Sequence, residues 1–388
     1  MSPYNTRSSP YQASKQKNSS EVSPARAVLL LIFLVCMVFF AGKVYLDNRM
    51  SERVYDSKHT TSTTQELATT TQVRLLDKAL YDTKVLLLAN LPPIAVASSA
   101  SSSTSTPVFI AATSSDGWPV KTAYPKAGAL LPFNRIIAYY GNFYSKKMGI
   151  LGEYDGDIVL QKLRDEVKVW NDADPSTPVV PAIHYIVAVA QADKGKDGDY
   201  LARMPDGEIQ KALTMAKEVE GIVFLDIQFG HSTVASEVSA IKEYLQLPQV
   251  HLGLDPEFYM KNKKQPGTSI GTMDAIEINQ AIEMLSQIVQ ENNLPPKILM
   301  IHRFTEAMVT NYQNIRLTPE VQVIMNMDGW GSPELKTATY KHVAFPEPVQ
   351  FTGVKIFYKN DVRPPSTRLM TPQEVLQFRP KPIYIQYQ

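Results

Sequence analysis

The chain of 388 residues holds a single cysteine, Cys36. One thiol excludes an internal disulfide and leaves the redox character of the compartment unmarked. A domain of this length buries enough apolar surface to fold without covalent staples. Cys36 also lies inside the most apolar stretch of the sequence, so it offers no catalytic nucleophile. Excess charge is missing as well: 39 Lys and Arg stand against 38 Asp and Glu. A balance this even gives no field to gather nucleic acid, and no such partner is expected. There is no internal repeat at a fixed period. No His-x-His or His-Glu-x-x-His spacing occurs either.

One long apolar run is present, at residues 27–46 (AVLLLIFLVCMVFFAGKVYL). About 20 such residues cross a hydrocarbon core of roughly 30 Å as a helix. Arg7, Lys15, Lys17 and Arg26 precede it against the lone Glu21. After it, Lys43, Arg49, Arg53 and Lys58 are nearly balanced by Asp47, Glu52 and Asp56. The positive-inside bias predicts a cytoplasmic tail over 1–26, a single transmembrane helix and an extracytoplasmic remainder. A cleaved signal peptide fits less well, because the polar N-region is long and no small-x-small site follows Ala41. Lipid attachment at Cys36 is disfavoured by the bulky Val35 and the mid-segment position.

Residues 47–90 are polar with scattered apolar positions at Leu67, Val73, Leu76, Leu80 and Leu87, and predict a partly helical stalk. Residues 91–130, with Pro92-Pro93 and the Ser/Thr run over 98–106, read as a flexible linker. Whether the stalk associates is not legible.

From residue 131 the pattern changes. Short β-branched apolar runs at 136–140, 179–187, 221–228, 250–255, 298–302, 321–327, 354–358 and 383–387 alternate with amphipathic helical stretches. Val234, Val238, Ile241 and Leu245 share one helical face, as do Ile278, Ala281, Ile282, Leu285, Ile288 and Val289. Thr371-Pro372-Gln373-Glu374 reads as a capping box with proline at the first helical position. Eight strands with seven crossovers predict an α/β fold, a (β/α)8 TIM-type barrel over 131–388. An open doubly wound sheet is the alternative. Gly141-Asn142-Phe143-Tyr144 after the first strand is no phosphate-cradling fingerprint, which argues against a nucleotide-binding version.

In a parallel barrel, reactive groups stand at the carboxyl ends of the strands. Those ends carry Tyr140, His184, Asp226 with Gln228 and His231, Asp255 with Glu257, His302 with Arg303, Asp328 with Trp330, Lys355 with Tyr358, and Gln386. Any one acid there is as well read as a helix cap or a loop ion pair. So many ionisable groups buried together are unfavourable unless they pair or do chemistry. Asp255 and Glu257 share strand parity, as do Asp226 and Gln228. Tyr140, Phe143, Trp330 and Tyr358 are rim aromatics able to stack on sugar rings, or simply to cap the barrel. Glycoside hydrolysis needs a proton donor and a second carboxylate. Glu257 is the candidate donor. Asp255 or Asp226 would supply the second charge and raise the pKa of Glu257 by proximity.

Asp255-Pro256-Glu257 at the end of the fourth strand resembles the Asp-x-Glu of chitinase-like and lysozyme-like barrel glycosidases. That resemblance implies that the glutamate is the acid, and that the aspartate supports it or a substrate acetamido group. Two further upstream aspartates of the longer chitinase motif are replaced here by Val250 and Gly253. The region from Tyr139 to Gln388 is also similar to an uncharacterised bacterial family of exported barrel proteins. The segments Ala190-Gln191-Ala192-Asp193, Leu254-Asp255-Pro256-Glu257-Phe258, Met327-Asp328-Gly329-Trp330-Gly331 and the terminal Pro382-Ile383-Tyr384-Ile385-Gln386-Tyr387-Gln388 carry that likeness. It implies fold and export, with no assigned reaction. The expectation is a membrane-anchored glycoside-hydrolase-like barrel acting on envelope or extracellular carbohydrate, with no cofactor. Two readings stand beside it. One is a non-catalytic barrel binding glycan or peptide. The other is a metal-dependent hydrolase using His184, His231, His302, Asp226 and Asp328.

Overall fold

Eight parallel strands pair edge to edge until the last closes on the first. In this computed structural model, which describes residues 75–92 and 116–388, they are β1 (Arg135–Gly141), β2 (Val179–Ala190), β3 (Ile222–Gly230) and β4 (Val250–Tyr259). They continue as β5 (Lys297–Arg303), β6 (Val321–Met327), β7 (Phe351–Ile356) and β8 (Tyr384–Tyr387). Each pairs with its neighbour in chain order, and β1 pairs with both β2 and β8. A short strand, Leu201–Arg203, adds antiparallel to the end of β2. The expected tail 1–26 and transmembrane helix 27–46 lie outside the described residues, as does most of the expected stalk and linker. Among the described residues no helix is long and apolar enough to cross a membrane.

Strand parity divides the core in two. Ile136, Ala138, Ala182, Phe224, Ile298, Met300, Ile324 and Tyr384 pack inside the barrel. Their neighbours Ile137, Tyr139, Ile183, Val223, Leu225, Leu299, Val323 and Ile385 face outward and pack under the helices. Both faces are therefore apolar, which is why the strands read as near-continuous hydrophobic runs. Helices Gly156–Ala173, Asp206–Glu218, Val234–Ala240 with Lys242–Leu245, and Ala275–Glu291 cover the first four crossovers. The stripe from Ile278 to Val289 is buried, worth roughly 1.5–3 kcal/mol for each large aliphatic side chain. Its start is fixed by a capping box between Asp274 and Glu277, and the predicted box at Thr371 and Glu374 opens Pro372–Val375.

The crossover from β5 to β6 departs from the repeating pattern. It carries the 3-10 turns Glu306–Met308 and Tyr312–Asn314 and the two-residue strand Val309–Thr310, but no α-helix. Buried Arg303 supports it, donating to the carbonyls of Thr305 and Glu306 and pairing with Glu347 at 2.5 Å.

The floor of the barrel draws on residues that composition alone assigns to stalk and linker. Helix Lys78–Leu88 is capped by Asp77 and buries Tyr81 and Leu86. Its Leu88 carbonyl accepts from Lys381 N–H at 2.7 Å. Trp118 is buried and donates from its indole to the Phe345 carbonyl at 2.8 Å. Leu131 is sealed under the barrel, exchanging two hydrogen bonds with the Gln322 amide. The folded body thus takes in residues 78–91 and 116–130 in addition to 131–388. A few large side chains in a polar context do the anchoring. Trp118→Ala is expected to cost about 3–5 kcal/mol of stability. Chemical denaturation measures this, and an unchanged midpoint would return residues 116–130 to the status of a free tether.

Candidate active site

Inward parity at the carboxyl ends of the strands brings most of the predicted polar residues to one place. His184 on β2, Asp226 on β3 and His302 on β5 are fully buried and meet on the barrel axis. Asp226 Oδ1 lies 3.3 Å from His184 Nε2 and 3.5 Å from His302 Nε2. Tyr140 on β1 donates to Asp226 Oδ2 at 3.3 Å. The far nitrogen of each imidazole is also held: His302 Nδ1 by Asp328 Oδ2 at 2.8 Å, and His184 Nδ1 by the Tyr384 hydroxyl at 2.6 Å. Gln386 donates to that same hydroxyl at 2.9 Å. Gly253 on β4 makes the cluster possible. A Cβ there would stand 2.3 Å from Asp226 Oδ1 and 2.8 Å from His184 Nε2. The space next to Gly253, where the chitinase-type pattern would have an aspartate, is filled here by the carboxylate of the neighbouring strand.

Above this layer opens a cavity of about 580 Å³. Asp255, Glu257, Asp328, Lys355, Trp330 and Gln228 line it, with Tyr140 at its base. Asp255 Oδ1 accepts the Glu257 N–H at 3.0 Å within the irregular last part of β4, and the Glu257 side chain stands on the cavity wall. Gln228 accepts from Ala190 N–H and ties β3 to β2 at the rim. The Lys355 ammonium rests 3.7 Å from the centre of the Tyr140 ring, a close cation–π contact. Trp330 is 54% exposed, a large aromatic face presented to solvent.

The electrostatics sort these groups by role. Burial opposes charge on His302, but Asp226 and Asp328 on either side outweigh it and raise its pKa to about 10. Burial lowers His184 to about 4 in spite of Asp226. Burial also works against ionisation of Asp226, yet His302 and His184 hold its carboxyl well below the usual range. Asp226 and His302 thus each favour the charged form of the other. Burial pushes Asp255 well above the ordinary value, helped by Glu257, Asp226 and Asp328. Glu257 is raised by burial and then by the charge on Asp328, with Lys355 and His302 pulling the other way. The like charge acting on Glu257 is thus Asp328, not the expected Asp255 or Asp226.

Three predicted site residues fall elsewhere. His231 follows Gly230, whose positive φ of 54° turns the chain off the strand, and its ring bonds the Lys264 carbonyl at 2.9 Å. Arg303, next to inward-facing His302, points the other way into the helical layer. Tyr358 bonds Tyr139 and Glu166 and stacks on Tyr387 between the barrel and helix Gly156–Ala173. Phe143 stacks on Tyr185 in the same outer layer. Conversely, Tyr384 and Asn326 belong to the buried cluster, and Phe304 and Phe357 line the cavity. The signal for Tyr384 was its parity with Gln386, and for Asn326 its parity with Asp328.

Two other features compete for attention. A larger open groove of about 1030 Å³ runs along Pro333–Thr339 and residues 370–379, but no cluster of buried acids converges there. Gly267-Thr268-Ser269-Ile270-Gly271 has the spacing of a nucleophile elbow. It lies in a loop after β4, not in a strand–turn–helix, and Ser269 Oγ makes no hydrogen bond to a base.

No protein-family model and no curated protein matches the chain. Solved structures that resemble it include a Bacillus subtilis mannanase, 14% identical, covering 66% of this chain and 81% of that one with a TM-score of 0.33. GH26C from a Muricauda species is 12% identical over 66% and 80%, with a TM-score of 0.33. A GH18 chitinase from Pseudoalteromonas aurantia is 11% identical over 66% and 94%, with a TM-score of 0.28. Likeness this loose transfers no residue role, and the barrel rests on its own strand pairing.

Gly253→Ala is expected to force Asp226 and His184 apart and to destabilise the chain by about 1–3 kcal/mol, the usual cost of overpacking. Denaturation together with the imidazole NMR signals reads both effects. Unchanged stability with unchanged imidazole resonances would show that the cluster is looser than these distances.

Proposed function

We propose that the chain is a glycoside-hydrolase-like barrel that acts on carbohydrate at this mouth. The carrying observation is a glutamate with a raised pKa on the wall of an open cavity, facing the carboxylate of Asp328 and flanked by an exposed tryptophan. Glu257 is the proton donor to the glycosidic oxygen, because a carboxyl kept protonated into the working pH range has a proton to give. Asp255, buried and with its pKa raised, holds the Glu257 backbone in place by accepting its N–H. Asp226, first considered for the second charge, is sealed beneath the floor. Asp328 is better placed for that role, since it lines the cavity and its Oδ1 has no hydrogen-bond partner. Trp330 supplies a face for a sugar ring. Lys355 sets the local potential, offsetting the negative charge of Asp328.

The apolar run at 27–46 and its flanking charges support a single-pass anchor in the cell membrane, with the barrel on the extracytoplasmic side. Envelope or extracellular carbohydrate is then the substrate class within reach.

Glu257→Gln preserves shape and removes the transferable proton. Turnover on a responsive glycan should fall about 10²–10⁴-fold while glycan binding persists. Because the acid works only when protonated, the alkaline limb of the rate profile should lie above an ordinary glutamate's range, about 4.3. Rates measured on the purified chain across pH and a glycan panel check both. Unaltered turnover in the variant would remove Glu257 from the mechanism. Retained glycan binding with no turnover in the parent chain would make the barrel a binding module.

A further inference from the structure

We propose that His184, Asp226 and His302 form a binding site for one divalent transition-metal ion directly beneath the floor of the mouth. Their free donor atoms, His184 Nε2, Asp226 Oδ1 and His302 Nε2, lie within 4.8 Å of one another. Ligand bonds of about 2.0–2.2 Å at tetrahedral angles put neighbouring donors roughly 3.3–3.6 Å apart. The two contacts made by Asp226 Oδ1 are 3.3 and 3.5 Å. All three residues are fully buried, and none of the three atoms has a hydrogen-bond partner. Three unpartnered polar atoms sealed in a barrel core are costly unless something unites them.

The surroundings fit a metal as well. Each imidazole is gripped at Nδ1, one by the Asp328 carboxylate and one by the Tyr384 hydroxyl, so that both present Nε2 to the same point. This outer shell is the one that orients metal-bound histidines and fixes their tautomer. Gly253 keeps side-chain bulk out of the space beside His184 Nε2 and Asp226 Oδ1. Two imidazoles and one carboxylate suit zinc and its first-row neighbours over magnesium or calcium. The inference does not rest on the carbohydrate reading, because metal uptake is measured without substrate.

The test uses the full-length chain, stripped with chelator and titrated with zinc by calorimetry. Cobalt(II) is the spectroscopic probe. The expected result is about one ion per chain and visible cobalt bands typical of a four- or five-coordinate site. Asp226→Asn and His184→Gln should abolish uptake. Asp328→Asn, which leaves all three ligands in place, should weaken it about 10–100-fold. His231→Gln, outside the cluster, should bind as the parent does. Circular dichroism confirms that each variant is folded. A folded parent chain that takes up no stoichiometric zinc or cobalt overturns the proposal. So does uptake that survives intact in folded Asp226→Asn.

Discussion

Alternation along closed parallel strands is the constraint on which the rest of the molecule depends. Once β1 pairs with β8, every second side chain must enter a lumen too narrow for bulk solvent. Apolar residues fill the lower layers. The upper layers receive His184, Asp226, His302, Asn326 and Gln386, all buried. Confinement presses them against one another, and it leaves His184 Nε2, Asp226 Oδ1 and His302 Nε2 close together without a well-formed hydrogen bond among them. The contacts around Asp226, and the grip of Asp328 and Tyr384 on the two imidazoles, follow from that confinement.

The same confinement prepares the mouth. Burial favours the proton on both Asp255 and Glu257, and the negative charge of Asp328 on the cavity wall adds to it, while His302 below the floor pulls the other way. Lys355 reaches in from β7 to offset the surplus negative charge. Glu257 differs from the others in standing on the cavity wall, where a substrate can meet it. The result is a rigid, charged base with an accessible acid above it. The two layers do separate work, the lower holding the field and the upper making contact.

The fold was largely legible in sequence, because buried parallel strands write themselves as apolar runs and the helices between them as apolar stripes. Its errors have physical causes. The seventh strand begins at Phe351, earlier than its apolar run suggests, because Gly353 interrupts the pattern to make room for Asn326 and Tyr384. The fifth crossover has no helix because Arg303 ties its turns down. Residues that share strand parity, Asp226 with Gln228 and Asp255 with Glu257, come together at the mouth. Arg303 and Tyr358 were chosen for proximity alone, and parity sends them into the helical layer. Trp118 and Tyr81 stand outside the alternating strand and helix pattern, where nothing periodic marks an anchoring aromatic.

The central claim is that the carboxyls of the mouth form one electrostatically coupled site. The most direct measurement is the titration of Glu257 by carbon-13 carboxyl NMR, in the parent chain and in Asp328→Asn. Coupling predicts a midpoint above an ordinary glutamate's in the parent, moving down once the Asp328 charge is removed. A Glu257 that titrates as a free glutamate and ignores the substitution would contradict the account.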